Sequence, residues 1–190
     1  MKRPLPLIAA GLLATALALT ACTSPTSTPS STSVTSASPT SSRGGHVLPV
    51  DANPIVNPAT AAGLDVTDVL LEDNTDPSGA AISDRLQFTV RNTSGAPLSG
   101  LEAFYTMTDT TTGASESYFL AMPDLTVPAG GETTVYVDGE SGAGHYPENI
   151  YSVYRTSLNQ VDVTVEVSAT GVAPATGLGS KSAGAGEQAD

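Results

Sequence analysis

A single cysteine, two histidines and no tryptophan occur in this chain of 190 residues. With one thiol the chain cannot close a disulfide on itself, so whatever folds is held by its core alone. The two imidazoles, His46 and His145, are too few for a multi-histidine zinc centre, and no sequence around any serine resembles a nucleophile elbow. A set such as Ser141, His145 and Asp138 is expected by chance in a chain this rich in Ser and Asp, so no enzymatic activity and no cofactor are expected. Cations are scarce: seven Lys and Arg face nineteen Asp and Glu, a net charge of −12. That balance argues against nucleic acid and anionic lipid head groups as partners, because both require a positive footprint. The longest apolar stretch, Leu5 to Leu19, is about fifteen residues, short of the ~20 a helix needs to cross a hydrocarbon core.

That stretch is instead an address. Lys2 and Arg3 precede it, and Leu19-Thr20-Ala21-Cys22 closes it, the order of a secretory signal over residues 1–21. The closing four residues resemble the lipobox of bacterial lipoproteins. The resemblance implies cleavage before Cys22, acylation of its sulfur, and anchoring at the extracytoplasmic face of the cell membrane, where two or more acyl chains give stable attachment. The alternative is an ordinary signal with an incidental cysteine, but the only cysteine in the chain sits where the acyl group would go. Loss of Lys2 and Arg3 with the signal leaves five cations against nineteen acids, a formal charge of −14.

Residues 22–62 begin as an almost uncharged Ser/Thr/Pro run and continue with Pro49, Pro54 and Pro58, which block any helix. The composition predicts a disordered tether and is also that of O-glycosylated stalks. Residues 171–190 are rich in Gly and Ala without apolar periodicity, which predicts a disordered tail. One domain is then expected over 63–170.

Period-two alternation dominates that region. Val161, Val163, Val165 and Val167 alternate with Asp162, Thr164, Glu166 and Ser168; Leu86, Phe88 and Val90, Leu101 to Met107, and Thr133 to Val137 do likewise. In the first strand Leu64 and Val66 share one parity while Val69 and Leu71 share the other, which predicts a bulge or change of sheet near Thr67-Asp68. Turn residues at 77–79, 92–97, 112–113 and 128–131 separate the runs, and the fold class expected is all-β, an antiparallel β-sandwich. The run Phe88 to Gly95 with its Val-x-Asn ending, Leu98 to Glu102, and Leu125 to Glu132 with Pro128-Ala129-Gly130 resemble the immunoglobulin-like modules of bacterial cell-surface proteins. Signal, stalk and Ala/Gly/Thr-rich composition together resemble lipoproteins of high-GC Gram-positive bacteria, which implies a surface location.

Two places suggest binding. Glu72, Asp73 and Asp76 cluster hard oxygen donors in a turn, a calcium candidate that lacks the spacing of an EF-hand loop. The segment 139–159 departs most from the β pattern and holds Tyr146, Tyr151 and Tyr154 beside His145 and Arg155. Its apolar spacing, Ile150, Val153, Tyr154 and Leu158, predicts a short helical turn over the sandwich. Tyrosines in such a loop commonly bury their rings, as in the tyrosine corner of Ig-like folds. They are also preferred at contact surfaces, as is arginine. The functions expected are a protein-interaction or scaffold module at the cell surface or, alternatively, a small-ligand or glycan receptor on the same tyrosines. A concave setting for the rings favours the receptor, a flat or convex one the protein partner.

Overall fold

The computed structural model describes residues 47–72, 74–75, 77–78, 85–184 and 187–188. Cys22, His46, Asp73 and Asp76, with the signal and the Ser/Thr/Pro run, lie outside the described residues. Among the described residues ten strands and one helical turn follow in order: β1 Leu64–Glu72, β2 Asn74–Thr75, β3 Arg85–Asn92, β4 Leu101–Asp109, β5 Ser115–Met122, β6 Glu132–Val137, β7 His145–Tyr146, α1 Val153–Thr156, β8 Val161–Ala169, β9 Val172–Lys181 and β10 Glu187–Gln188. Two four-stranded sheets, β1-β3-β6-β7 and β5-β4-β8-β9, face one another, while β2 and β10 form a separate two-stranded pair. This is an antiparallel β-sandwich of Ig-like order, with β1, β3 and β6 in the places of strands A, B and E and β5, β4, β8 and β9 in those of C′, C, F and G. Among the described residues no helix is long and apolar enough to cross a membrane.

The alternating strands put their apolar parity inward. Val161, Val163, Val165 and Val167 are buried and share one core cluster with Leu86, Phe88 and Val90. Burying one such side chain contributes about 1.5–3 kcal/mol. The expected irregularity in β1 is present: pairing with β3 shifts between Thr67 and Leu70, and Asp68 takes a φ of 50°. The extra residue swaps parity, so Val66 and Leu71 both reach the core. The Val-x-Asn ending is also explained. Asn92 is fully buried; its Nδ2 donates to Ala96 O, Val127 O and Pro128 O, and its Oδ1 accepts from the amide and hydroxyl of Ser94. One side chain thereby joins the loop after β3 to the loop before β6.

Two expectations are corrected. The tail expected over 171–190 is, through Lys181, the strand β9 that pairs with β8 along its length. Its glycines are not low-complexity filler. A Cβ on Gly177 would lie 2.6 Å from Val66 Cγ1, and one on Gly179 would lie 2.4 Å from Val69 O, so β1 closes on β9 only where side chains are absent. The linker expected over 22–62 is, from Val47, an irregular but held segment. Val50 N donates to Ser117 O in β5, and Asn57 Nδ2 donates to Ser168 Oγ, Ala169 O and Val172 O. Asn53 and Asn57 each precede a proline and accept the amide two residues on, at Ile55 and Ala59, turning the chain while leaving Nδ2 free to reach β8. The prolines forbid a ladder; the asparagines dock the chain without one. The strand β5 was not expected, because its Tyr118, Leu120 and Met122 point inward while Phe119 and Ala121 make the outer face apolar too.

Candidate functional site

The connection from β6 to β8 builds the site. After β6 the chain turns through residues 138–144 and returns as β7, which pairs with β6 in parallel, Tyr136 opposite His145 and Val137 opposite Tyr146. Parallel neighbours usually require a crossover of a dozen or more residues. Here the return is tighter, because Gly139, Gly142 and Gly144 take φ of 72°, 137° and 85°, a region costly for residues with a Cβ. The return brings His145 against Asp138, with Nδ1 2.8 Å from Oδ2, and stacks its ring on Tyr136 at a centroid distance of 4.9 Å. The other Asp138 oxygen accepts the amide of Glu140, so the loop and the imidazole share one carboxylate.

Glu148 is the second carboxylate of consequence. It accepts from the Tyr154 hydroxyl at 3.2 Å and lies 3.4 Å from the Arg155 guanidinium. Burial nevertheless pushes its pKa up to about 7, the charge of Asp138 adding to the rise and the Tyr154 hydroxyl opposing it. Burial, with the charge of Asp124, likewise raises the Tyr146 phenol.

The rest of the connection is tied down from both ends. Glu116 Oε2 accepts the Tyr118 hydroxyl and the Val153 amide, and Asn149 Nδ2 donates to the same hydroxyl. On the far side Asp109 accepts Ser157 Oγ at 2.6 Å and Asn159 Nδ2 at 2.9 Å. Those bonds, with the Thr111 and Thr112 amides, hold its carboxyl well below the usual range, the Ser157 hydroxyl contributing most. Lys181, 1% exposed, donates from Nζ to Tyr154 O and Ser157 O, neutralising the carbonyl end of α1.

Between this connection and the turn after β5 opens a groove of about 1050 Å³. Asp124, Asp138, Glu140, Glu148, His145 and Tyr146 are among its walls, and no Lys or Arg is. The residues expected to form one binding surface are thus separated. His145 and Tyr146 line the groove; Tyr151, 70% exposed, stands outside it; Tyr154, 2% exposed, is a core residue, and Arg155 is engaged with Glu148. The helical turn occurs but covers only Val153–Thr156; Val153 and Tyr154 face the core while Ile150 and Leu158 remain exposed. The Tyr154 hydroxyl donates to the Glu148 carboxylate. Of the set Ser141, His145 and Asp138, the last two are hydrogen bonded and Ser141 lines the same groove. Of the calcium candidates only Glu72 is described, at the end of β1. Sequence reasoning missed Asp138, Glu140 and Glu148 as a group, and the one available signal was the glycine spacing that lets β7 return.

Compared with known proteins, the sequence matches no family model and no curated relative. Solved structures similar to it include the alkylpurine DNA glycosylase AlkC of Pseudomonas fluorescens bound to abasic-site DNA, at 17% identity and TM-score 0.32 over 60% of this chain and 30% of that one. Red sea bream transglutaminase aligns at 14% identity and TM-score 0.38 over 66% of this chain and 17% of that one. The sporulation control protein Spo0M of Bacillus subtilis aligns at 12% identity and TM-score 0.33, over 65% of this chain and 50% of that one. The chain therefore spans half or less of each of these proteins.

Proposed function

We propose that the chain is the precursor of a membrane-anchored extracytoplasmic lipoprotein, acylated at Cys22, whose β-sandwich is a receptor for a small cationic ligand. The observation that carries the reading is the groove between β7 and the turn after β5. Its volume, about 1050 Å³, is at the upper end for small-molecule sites, and its walls combine four carboxylates with the aromatic edge of Tyr146 and the imidazole of His145. With no cation in the walls, an anionic ligand would find no counter-charge there, whereas an amine or amino sugar would find several. The order of Lys2, Arg3, an apolar stretch and Leu19-Thr20-Ala21-Cys22 supports the anchoring half of the proposal.

Nuclear magnetic resonance of the full chain in detergent micelles, titrated with spermidine and with glucosamine, tests the groove. Backbone shifts confined to residues 121–125 and 138–150, abolished by Ala143→Trp at the exposed rim, are the expected result. Shifts that persist in that variant place binding elsewhere and overturn the reading. A protein-interaction or scaffold role has its own support in the exposed Tyr151 and Leu158, which lie on the same connection outside the groove lining. Crosslinking from intact cells that loses a partner with Tyr151→Ala and not with Ala143→Trp selects that role.

A further inference from the structure

We infer that Asp138, Glu140 and His145 form a binding site for a divalent first-row transition ion, of which zinc is the natural probe. The inference rests on the groove being a binding site and names what its polar corner holds. Each of the three residues offers one ligating atom, and these atoms lie within 4.8 Å of one another. Bonds of about 2.0–2.2 Å in tetrahedral geometry put ligand atoms about 3.4 Å apart. The pair His145 Nδ1 and Asp138 Oδ2, at 2.8 Å, has to open by roughly 0.6 Å on this reckoning, and Glu140 has to close by up to about 1.4 Å. Glu140 is exposed, so rotation of its side chain supplies that movement without moving the backbone. The other two are placed by the fold: His145 by its pairing opposite Tyr136 and by the stack on that ring, Asp138 by its position directly after β6.

Ligand chemistry selects the kind of ion. Calcium takes six to eight oxygens and magnesium keeps an oxygen octahedron, so an imidazole in a three-residue set suits neither. One nitrogen and two carboxylate oxygens suit zinc and its neighbours, whose three-ligand sites leave a position open. Here that position faces the groove, where water or the amine or hydroxyl of a bound molecule would complete the shell. Asp124, in the opposite wall, adds negative potential that favours a dication over a monovalent one.

Calorimetric titration of the full chain in detergent micelles with zinc chloride, and separately with calcium chloride, tests the site. Expected are one zinc per chain, no saturable calcium heat, affinity at least tenfold weaker in Glu140→Gln, and at least a hundredfold weaker in His145→Gln. The Glu140→Gln variant keeps the Asp138–His145 pair and should keep the wild-type circular dichroism, which separates loss of a ligand from loss of the fold. Absence of zinc heat, or zinc affinity within threefold of wild type in both variants, overturns the inference, as does calcium that competes equally. Ala143→Trp distinguishes this from the groove reading, since it blocks the groove and leaves all three ligands in place. Spermidine binding without zinc binding sinks the ion site alone, and zinc binding without a spermidine or glucosamine response sinks the receptor alone.

Discussion

Replacing Asn92 should damage this fold more than any single apolar truncation at the rim of its core, and the damage should depend on charge. Asn92 is fully buried and makes five hydrogen bonds of 2.7 to 3.0 Å. In Asn92→Ala the three carbonyls keep other donors: Val127 O keeps Leu98 N, Pro128 O keeps Gly131 N and Ala96 O keeps Ser94 Oγ. The Ser94 amide loses its acceptor. The carbonyls keep other donors and Ser94 is only part-buried, so each of the five lost bonds counts at the low end, roughly 0.6–0.8 kcal/mol net, and about 3–4 kcal/mol is expected. Asn92→Asp keeps the shape but sets carboxylate oxygen against three carbonyl oxygens, and at neutral pH it should cost more than the alanine, on the order of 5 kcal/mol. The same environment raises the pKa of the new carboxyl in the folded state. The folded variant then binds a proton that the unfolded chain releases, so its stability rises as pH falls toward 4. Urea unfolding of the full chain, followed by circular dichroism at pH 7.5 and pH 4.5, reads both effects. With a slope of about 2 kcal/mol per molar the alanine should lower the midpoint by about 1.5–2 M. A shift below about 0.5 M, or an aspartate variant more stable than the alanine at pH 7.5, would show that Asn92 does not bind the two loops together as described.

Other expectations follow from single contacts. Glu148 titrates near 7 in the folded chain against an ordinary 4.5, so the folded state holds a proton the unfolded state gives up, and stability should fall as pH rises through that window. The full shift corresponds to about 3 kcal/mol, which solvent at the groove wall reduces to about 1 kcal/mol; Glu148→Gln should flatten the pH dependence of the urea midpoint between pH 5 and 8, and parallel wild-type and variant curves would count against it. Lys181→Met removes the donor to Tyr154 O and Ser157 O and should cost about 2–4 kcal/mol, with faster amide exchange confined first to residues 153–157; unchanged exchange there refutes the link between β9 and α1. Cys22→Ser should release the protein from membranes into the soluble fraction, and wild-type membrane association in that variant sinks the lipid anchor.

Sequence by itself determined the parts of this protein in which one local rule was enough. Strands with one face in the core and one in water, such as β3, β4, β6 and β8, carry alternation that period-two reading detects. The parity break at Thr67-Asp68 and the Asn92 turn are legible for the same reason. Tertiary structure decided the rest. The strand β5 hides because Phe119 lies opposite Phe104 on the outer face, and β9 because its contact with Val66 and Val69 requires glycine, which composition reads as a tail. A Pro-rich segment is a tether or a docked strap according to whether Ser168 and Val172 are within reach of an asparagine, and no local pattern contains that fact. The site belongs to the same class. Asp138 and His145 meet through a parallel return on three left-handed glycines, and of Tyr151 and Tyr154, three residues apart, the first precedes α1 and faces solvent while the second lies within it and faces the core. Proximity of that kind depends on where a chain comes back to, which is a property of the whole fold and not of any window along it.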